Sequence, residues 1–144
     1  MGPLQLASPI LQRLHRDWDD RRRGRTLPSR SDFDVLELKY ILGNLNLLDV
    51  LDDPLRFRYR VHGTNNVRRL DLDMTGKTVD QYPNPTYVQR VQGSFIEVVE
   101  TRAPKCDVGV EEINDKYVRF EALILPLSDD GEGVHRIMVG IHLL

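Results

Sequence analysis

Several features that define other classes of protein are scarce in this sequence. It contains one cysteine, Cys106, its formal net charge is -2, and it has no apolar run approaching about 20 residues. A single cysteine excludes an intrachain disulfide and a zinc site built from several cysteines, which fits a reducing compartment. A charge so close to zero gives no general attraction to nucleic acid, and the N-terminus lacks a signal peptide. We therefore expect a cytoplasmic protein with neither nucleic acid nor a membrane as its partner.

Catalytic and metal-binding patterns are also missing. The chain has no Gly-x-Ser-x-Gly turn and no glycine-rich phosphate loop, and Ser94 has no histidine or acid at a diagnostic spacing. His135 and His142 are seven positions apart, so they face opposite sides of a regular strand and cannot hold one metal ion together. We therefore predict no catalytic residues and no metal site, and we expect that the protein is not an enzyme.

The N-terminal segment reads as an amphipathic helix. Ser8 is a suitable N-cap and Pro9 a suitable first helical residue. The apolar residues that follow recur at helical spacing and are Ile10, Leu11, Leu14 and Trp18. The basic cluster from Arg21 to Arg25 then falls at the negative end of the helix dipole. A solvated helix end is the favoured interpretation of this cluster, and contact with a phosphate, nucleic acid or partner is the alternative. We assign residues 1–25 to this helix and residues 26–144 to the domain that follows.

The rest of the chain predicts an α+β domain. A capping box formed by Asp34 and Glu37 predicts a short helix from Val35 to about Leu42, and Asn84 followed by Pro85 predicts the longest helix, which ends before Ala103. Strands are expected at residues 44–51, 55–62, 106–113, 116–127 and 134–144, because apolar and polar residues alternate there or turn residues bound the segment. Five strands interrupted by helices favour an antiparallel sheet with helices packed on one face.

The chain around the second strand predicts a pocket. In a regular strand, Phe57, Tyr59 and Val61 lie on one face, whereas the arginines at 56, 58 and 60 and His62 lie on the other. We expect the arginine row to be solvated or to pair with Glu121 across the sheet, and docking of an acidic partner is the alternative. A short helix from Thr64 through Leu70 follows directly. Helices that cover the apolar face of a sheet can enclose a small molecule.

Five segments in order resemble the bacterial PAS-type domain family sometimes called PAS_5, which is frequent in alphaproteobacteria. They are LPSRSDFD (27–34), FRYRVHGT (57–64), DMTGKTVD (73–80), VVETRAPKC (98–106) and ILPLSDDGEGVHRIMVGI (124–141). The resemblance covers the chain from about Leu27 to its end. It implies a PAS-like sheet with strand order 2-1-5-4-3, a pocket between that sheet and the intervening helices, and a sensory or regulatory role without catalysis.

In the pocket that this resemblance implies, we predict a set of ligand-binding residues: Phe57, Tyr59, Val61, Phe95, Phe120, Ala122, Ile137 and Val139. Ordinary core packing of the same side chains is the alternative. Two cofactors of other PAS subclasses are not expected. Cys106 lies just after Pro104 and not in a helical Asn-Cys-Arg motif, which disfavours a covalent flavin, and the absence of histidine between Thr64 and Arg102 disfavours haem.

The resemblance also bears on partners, since PAS-type domains often dimerise through flanking helices. We expect a homodimer that uses Ile10, Leu11, Leu14 and Trp18, although the same helix can instead fold back onto its own sheet. The sequence shows no histidine-kinase, diguanylate cyclase or DNA-binding segment after the domain, so we expect any output to pass through a separate signalling protein or through self-association.

Two other functions remain open from the residues. The first is a small α+β enzyme with a cone-shaped cavity, in which Tyr59, His62 and Asp80 carry out acid-base chemistry. The second is a pure protein-interaction scaffold with a fully packed core.

Overall fold

A computed structural model describes residues 4–113 and 115–144. Its helices and strands follow in the order α1 (Pro9–Arg22), β1 (Leu45–Leu51), β2 (Arg56–His62), α2 (Thr64–Leu70), α3 (Pro85–Thr101), β3 (Lys105–Ile113), β4 (Lys116–Leu127) and β5 (Arg136–Leu143). Short 3-10 helices occupy Arg30–Asp32, Val35–Leu38, Leu42–Asn44 and Val79–Gln81. No helix within these two ranges has both the length and the apolar character needed to cross a bilayer.

The five strands form one antiparallel sheet in the order β2-β1-β5-β4-β3. Val139 of the central strand β5 lies between Asn46 of β1 and Ile124 of β4. The predicted α+β class and the strand order implied by the family resemblance are both confirmed.

Helix α1 packs on one face of this sheet, which we call the outer face. The Ser8 hydroxyl accepts a hydrogen bond from the Leu11 amide, and Pro9 is the first helical residue, as predicted. Gly140 of β5 lies directly beneath the helix, because a Cβ atom there would come within 2.6 Å of the Leu14 side chain. The sheet thus carries helices on both faces.

A buried carboxylate fixes the start of α1 on the sheet. Glu121 of β4 is only 2% exposed, and its two oxygens accept hydrogen bonds from the backbone amides of Ala7 and Ser8, each at 2.8 Å. A carboxylate at a helix N-terminus satisfies unpaired amides and interacts favourably with the helix dipole. At the other end of the helix, the indole nitrogen of Trp18 donates to the carbonyl of Pro126 at 2.9 Å.

Helices α2 and α3 cover the opposite, inner face of the sheet. Asn84 caps α3 by accepting hydrogen bonds from the amides of Thr86 and Tyr87, and the helix ends at Thr101, before Pro104. Its buried apolar residues Val91, Phe95 and Val98 belong to the main core. This helix is the longest, as predicted from the cap and the apolar spacing.

The helix predicted from Val35 to about Leu42 is wrong in type and length. Asp34 does cap this segment by accepting a hydrogen bond from the Leu36 amide, but only a 3-10 turn, Val35–Leu38, follows. Leu38 is buried whereas Leu36 is 67% exposed, so the segment lacks the continuous apolar face that stabilises a longer helix.

A β-bulge changes which side chains of β2 face inward. Leu47 lies opposite Val61, but the next residue, Leu48, lies opposite Tyr59, so Arg60 is an extra residue on β2. After the bulge the alternation is inverted. Val61 is 40% exposed, and the side chain of His62 is fully buried. The expectation that Val61 faces the pocket and His62 faces outward is therefore wrong.

Candidate ligand-binding cavity

A small cavity lies between the inner face of the sheet and helices α2 and α3. The volume of this cavity is about 40 Å³. That is enough space for about three water molecules. Its lining residues are Asn46, Tyr59, Arg69, Tyr87, Arg90, Val91, Ser94, Phe95, Asp107, Glu111, Phe120, Ala122, Ile124, Val139 and Ile141. They come from all five strands and both inner helices.

Five of the eight residues predicted to bind a ligand line this cavity, namely Tyr59, Phe95, Phe120, Ala122 and Val139. Phe57 and Ile137 are buried but are not among its lining residues. Phe57 instead packs edge-to-face against Phe95, with 5.2 Å between the ring centroids. Val61 lies on the exposed side of the bulge, as described above. A ligand-binding role for the five lining residues remains a prediction.

One side of the cavity is apolar. Ala122 of β4 lies opposite Ile141 of β5, and Ile124 lies opposite Val139 in the same pair of strands. Phe95 of α3 adds an aromatic ring to this wall. The small side chain of Ala122 among these larger ones contributes to the space.

The other side carries tyrosine hydroxyls and an arginine. Burial raises the pKa of Tyr59 well above its usual value, and the interaction of its hydroxyl with that of Tyr87 raises it further. Burial also raises the pKa of Tyr87. Burial lowers the pKa of the Arg69 guanidinium on α2. The nearby tyrosines 87, 59 and 82 have the opposite effect and raise this pKa. Because their pKa values are raised, Tyr59 and Tyr87 stay protonated near neutral pH. The guanidinium of Arg69 keeps its positive charge, as arginine does in proteins.

The remaining charges around the cavity are paired. Arg90 forms an ion pair with Glu111 and lies over the ring of Phe120, 4.8 Å from its centroid. Asp107 accepts a hydrogen bond from the Ser94 hydroxyl at 2.5 Å and lies 3.5 Å from the ammonium of Lys105. These contacts neutralise the arginine of α3 and the two acids of β3 within the protein.

Arg90 and Glu111 also mark where the cavity meets the surface. Together with Tyr87 they line both the cavity and an open groove between α3 and β3. The Arg90–Glu111 pair thus lies at the boundary between the interior space and solvent.

His62 lies beside Tyr59, with 4.8 Å between their ring centroids. Its Nδ1 accepts a hydrogen bond from the amide of Met74 at 3.0 Å, so the neutral ring carries its proton on Nε2. Burial lowers the pKa of His62, and the acid nearest to it is Asp73, at 3.9 Å. Asp80 is exposed, and no hydrogen bond or ion pair joins it to His62 among the described residues. The structure therefore does not bring Tyr59, His62 and Asp80 together.

Cys106 is not one of the residues lining the cavity. Burial raises its pKa to about 11, with smaller contributions from the charges of Glu121 and Asp107. Such a thiol stays protonated and is a poor nucleophile near neutral pH. Residues 4–113 and 115–144 contain no group of three or more histidines, cysteines or acids placed to hold a metal ion.

Apart from Tyr59, the sequence analysis missed the polar side of the cavity. Tyr87 and Ser94 do carry a signal, because they share the helical face of the buried residues Val91 and Phe95 on α3. Arg69 carries none, since it is one of two successive arginines in a short helix, and its neighbour Arg68 is exposed.

The residues predicted for a dimer interface occupy a different place. Leu11, Leu14 and Trp18 are buried against the chain's own sheet, while Ile10 is partly buried. A second copy has no access to the three buried side chains in this arrangement, because α1 folds back onto the sheet. The homodimer itself stays a prediction.

The two arginine clusters pair with acids that are close in space. In the cluster at the end of α1, Arg21 pairs with Glu37, Arg22 with Asp19 and Arg25 with Asp32. On the outer face of the sheet, Arg58 and Arg60 both pair with Asp49 of β1. The expected pairing of this second cluster with Glu121 is wrong, because Glu121 binds the start of α1.

Comparison with known proteins gives a family and a set of related folds. The family model PAS_5, described as a PAS domain, matches residues 6–142 and so includes α1, which lies outside the segments that carry the resemblance in the sequence. A search of curated proteins gives no match.

Solved structures of sensory proteins are similar to this chain. The PAS domain of BvgS from Bordetella pertussis has a TM-score of 0.59 at 14% identity, with 78% of this chain and 88% of that chain covered. A sensory box histidine kinase from Vibrio cholerae has a TM-score of 0.52 at 13% identity, with 76% and 88% covered. A VqmA dimer from Vibrio cholerae has a TM-score of 0.55 at 12% identity, with 78% and 52% covered. A structure of VqmA bound to DPO has a TM-score of 0.54 at 12% identity. The match covers 77% of this chain and 58% of that chain. At these identities the similarity shows the fold alone.

Proposed function

Since this chain belongs to the PAS_5 family of PAS domains, we propose that it is a non-catalytic sensory module of bacterial signalling that binds a small molecule in the cavity between its sheet and helices. The observation that carries this proposal is a cavity with one apolar and one polar side in the position where the fold places a pocket. Small-molecule sites are typically concave, largely apolar spaces with a few polar groups that orient the ligand.

Binding of a ligand in the cavity would change the positions of α2 and α3. The space holds only about three waters, so a larger ligand requires α2 and α3 to move away from the sheet. Their cavity residues Arg69, Tyr87 and Phe95 are the side chains that such a ligand would displace. A ligand that binds the expanded form more tightly shifts the population toward it, and that shift is the signal.

The proposed setting is the cytoplasm, with the module acting as a homodimer and passing its signal to a separate protein. Support for the dimer comes from the fold, since VqmA, a protein of similar fold, is a dimer. Since α1 covers its own sheet, the proposed dimer uses surfaces other than Leu11, Leu14 and Trp18.

Methyl NMR spectroscopy tests the binding proposal residue by residue. A metabolite library is added to protein labelled at alanine, valine and isoleucine methyl groups. We expect a binding compound to shift the signals of Ala122, Val139 and Ile141, which line the cavity, and to leave unchanged that of Val108, which is exposed on β3.

Two variants complete this test. Ala122→Leu fills the cavity and should abolish the shifts, while Val108→Leu enlarges an exposed side chain and should preserve them. A library in which no compound shifts the cavity methyl groups, or one whose effects survive Ala122→Leu, overturns the proposal and favours the protein-interaction scaffold.

A further inference from the structure

Arg69 is a partly buried positive charge without an acidic partner among the described residues. Its Nη1 donates a hydrogen bond to the side-chain oxygen of Asn66 at 3.2 Å, and its Nε is buried and has no hydrogen-bond partner. Among the described residues no carboxylate forms an ion pair with it, whereas Arg90, which lines the same cavity, is paired with Glu111. Burying an unpaired charge costs free energy, so a residue of this kind points to an acceptor that the protein itself does not supply.

The surroundings of Arg69 are rich in donors and poor in acceptors. In the described part of the chain, the only other buried side-chain nitrogen or oxygen without a partner is Nε2 of His62, which is also a donor. The side-chain oxygen of Asn46 is already used, because it accepts hydrogen bonds from the Gly63 amide and from Asn66. The hydroxyls of Tyr59 and Tyr87 stay protonated and can donate.

The opposite wall of the cavity is apolar, with Phe95, Ala122, Ile124, Val139 and Ile141. A ligand that matches both sides therefore has an anionic head and an apolar body. A carboxylate fits the head, since the guanidinium fork of arginine binds carboxylates through parallel hydrogen bonds. Inorganic phosphate would satisfy Arg69 but leave the apolar wall without a partner.

We propose that the cavity binds a small organic carboxylate whose carboxyl group is held by Arg69 together with the hydroxyls of Tyr59 and Tyr87, and whose apolar body lies against Ala122 and Val139. This inference rests on the proposed sensory function and names its ligand class. The short segment α2 then becomes the part of the protein that responds, because it carries the arginine. Such a ligand would enter from the open groove between α3 and β3, where the Arg90–Glu111 pair lies.

Matched probes separate the charge from the apolar body. Butyrate and benzoate are titrated against methyl-labelled protein beside their neutral counterparts, butyramide and benzamide, and beside inorganic phosphate. We expect each acid to bind about 10- to 100-fold more tightly than its amide, because the amide forfeits a charge-assisted hydrogen bond. Equal affinity of acid and amide, or tighter binding of phosphate than of either acid, overturns the carboxylate inference.

Arg69→Gln tests the residue, and Arg68→Gln is its matched control one position away on the exposed side of α2. We expect Arg69→Gln to weaken binding of the acids to the level of the amides. It should not lower the melting temperature, because it removes a partly buried charge that has no acidic partner among the described residues. Arg68→Gln should leave the preference for acids unchanged. A fall in melting temperature with Arg69→Gln and an unchanged preference for acids would assign Arg69 a purely structural role.

The result also distinguishes this inference from the proposed function. If neither acids nor amides bind while a compound of the metabolite library shifts the cavity methyl groups, the sensory proposal stands and the carboxylate inference fails. If nothing in either set shifts them, both fail.

Discussion

Replacing Glu121 by glutamine should loosen the N-terminal helix from the sheet. The carboxylate accepts hydrogen bonds from the amides of Ala7 and Ser8, both at 2.8 Å, and is almost completely buried. Glutamine keeps one acceptor oxygen but turns its own NH₂ group toward the second amide, so at least one charge-assisted hydrogen bond is lost and a buried donor is left unpaired. Such a loss costs about 1.5–3 kcal/mol. We expect the free energy of unfolding to fall by that amount.

Trp18 provides a direct assay for this change. It is the only tryptophan of the chain, lies on α1 and is 4% exposed, so its fluorescence reports whether the helix stays on the sheet. Urea unfolding is followed by this fluorescence and by far-ultraviolet circular dichroism. The control is Glu112→Gln, which removes the same charge from an exposed position of β3 and should change stability by less than about 0.5 kcal/mol. If the two variants are equally stable, the carboxylate of Glu121 does not anchor α1.

Two further predictions concern backbone packing and pH. Gly63→Ala should cost about 3 kcal/mol in thermal or chemical denaturation, because its Cβ would lie 2.5 Å from the carbonyl oxygen of Gly43 and 2.7 Å from that of Leu45. Gly93→Ala should instead leave the free energy of unfolding unchanged or raise it by up to about 1 kcal/mol, because Gly93 lies inside α3 and nothing lies within 4 Å of the added Cβ. An equal loss of stability in the two variants would contradict this packing. Burial lowers the pKa of His62 below its usual 6.5, so the unfolded chain binds the proton more readily, and the stability present above pH 6.5 should be lost as pH falls through the folded-state pKa. His62→Gln should flatten this part of the stability profile measured by urea unfolding, and an unchanged slope would show that another group titrates there.

Features set by neighbouring residues were predictable from the sequence. Ser8 with Pro9 and Asn84 with Pro85 place the starts of α1 and α3, because a cap acts within one helical turn. Alternation located β4, since its inner residues Phe120, Ala122 and Ile124 follow the two-residue period without interruption. The strand order came from the family resemblance, because local patterns do not state which strands pair.

Features set by distant contacts were not predictable. The bulge at Arg60 depends on how β2 pairs with β1, and it inverts Val61 and His62 relative to a regular strand. Glu121 sits in a strand whose alternation marks it as outward and solvated, but it binds an amide 113 positions away. The position of Arg69 depends in the same way on how α2 packs against the sheet, a contact between distant parts of the chain. The sequence therefore did not predict Arg69 as a site residue.

Native mass spectrometry tests the central claim, that the cavity is a ligand site, most directly. Wild-type protein and the cavity-filled variant Ala122→Leu are incubated with a bacterial metabolite extract and measured under conditions that preserve noncovalent complexes. We predict that the wild type carries an additional small mass that denaturation releases, that this mass belongs to a carboxylate, and that the variant lacks it. Identical masses for the two proteins, with no adduct on either, would contradict the claim.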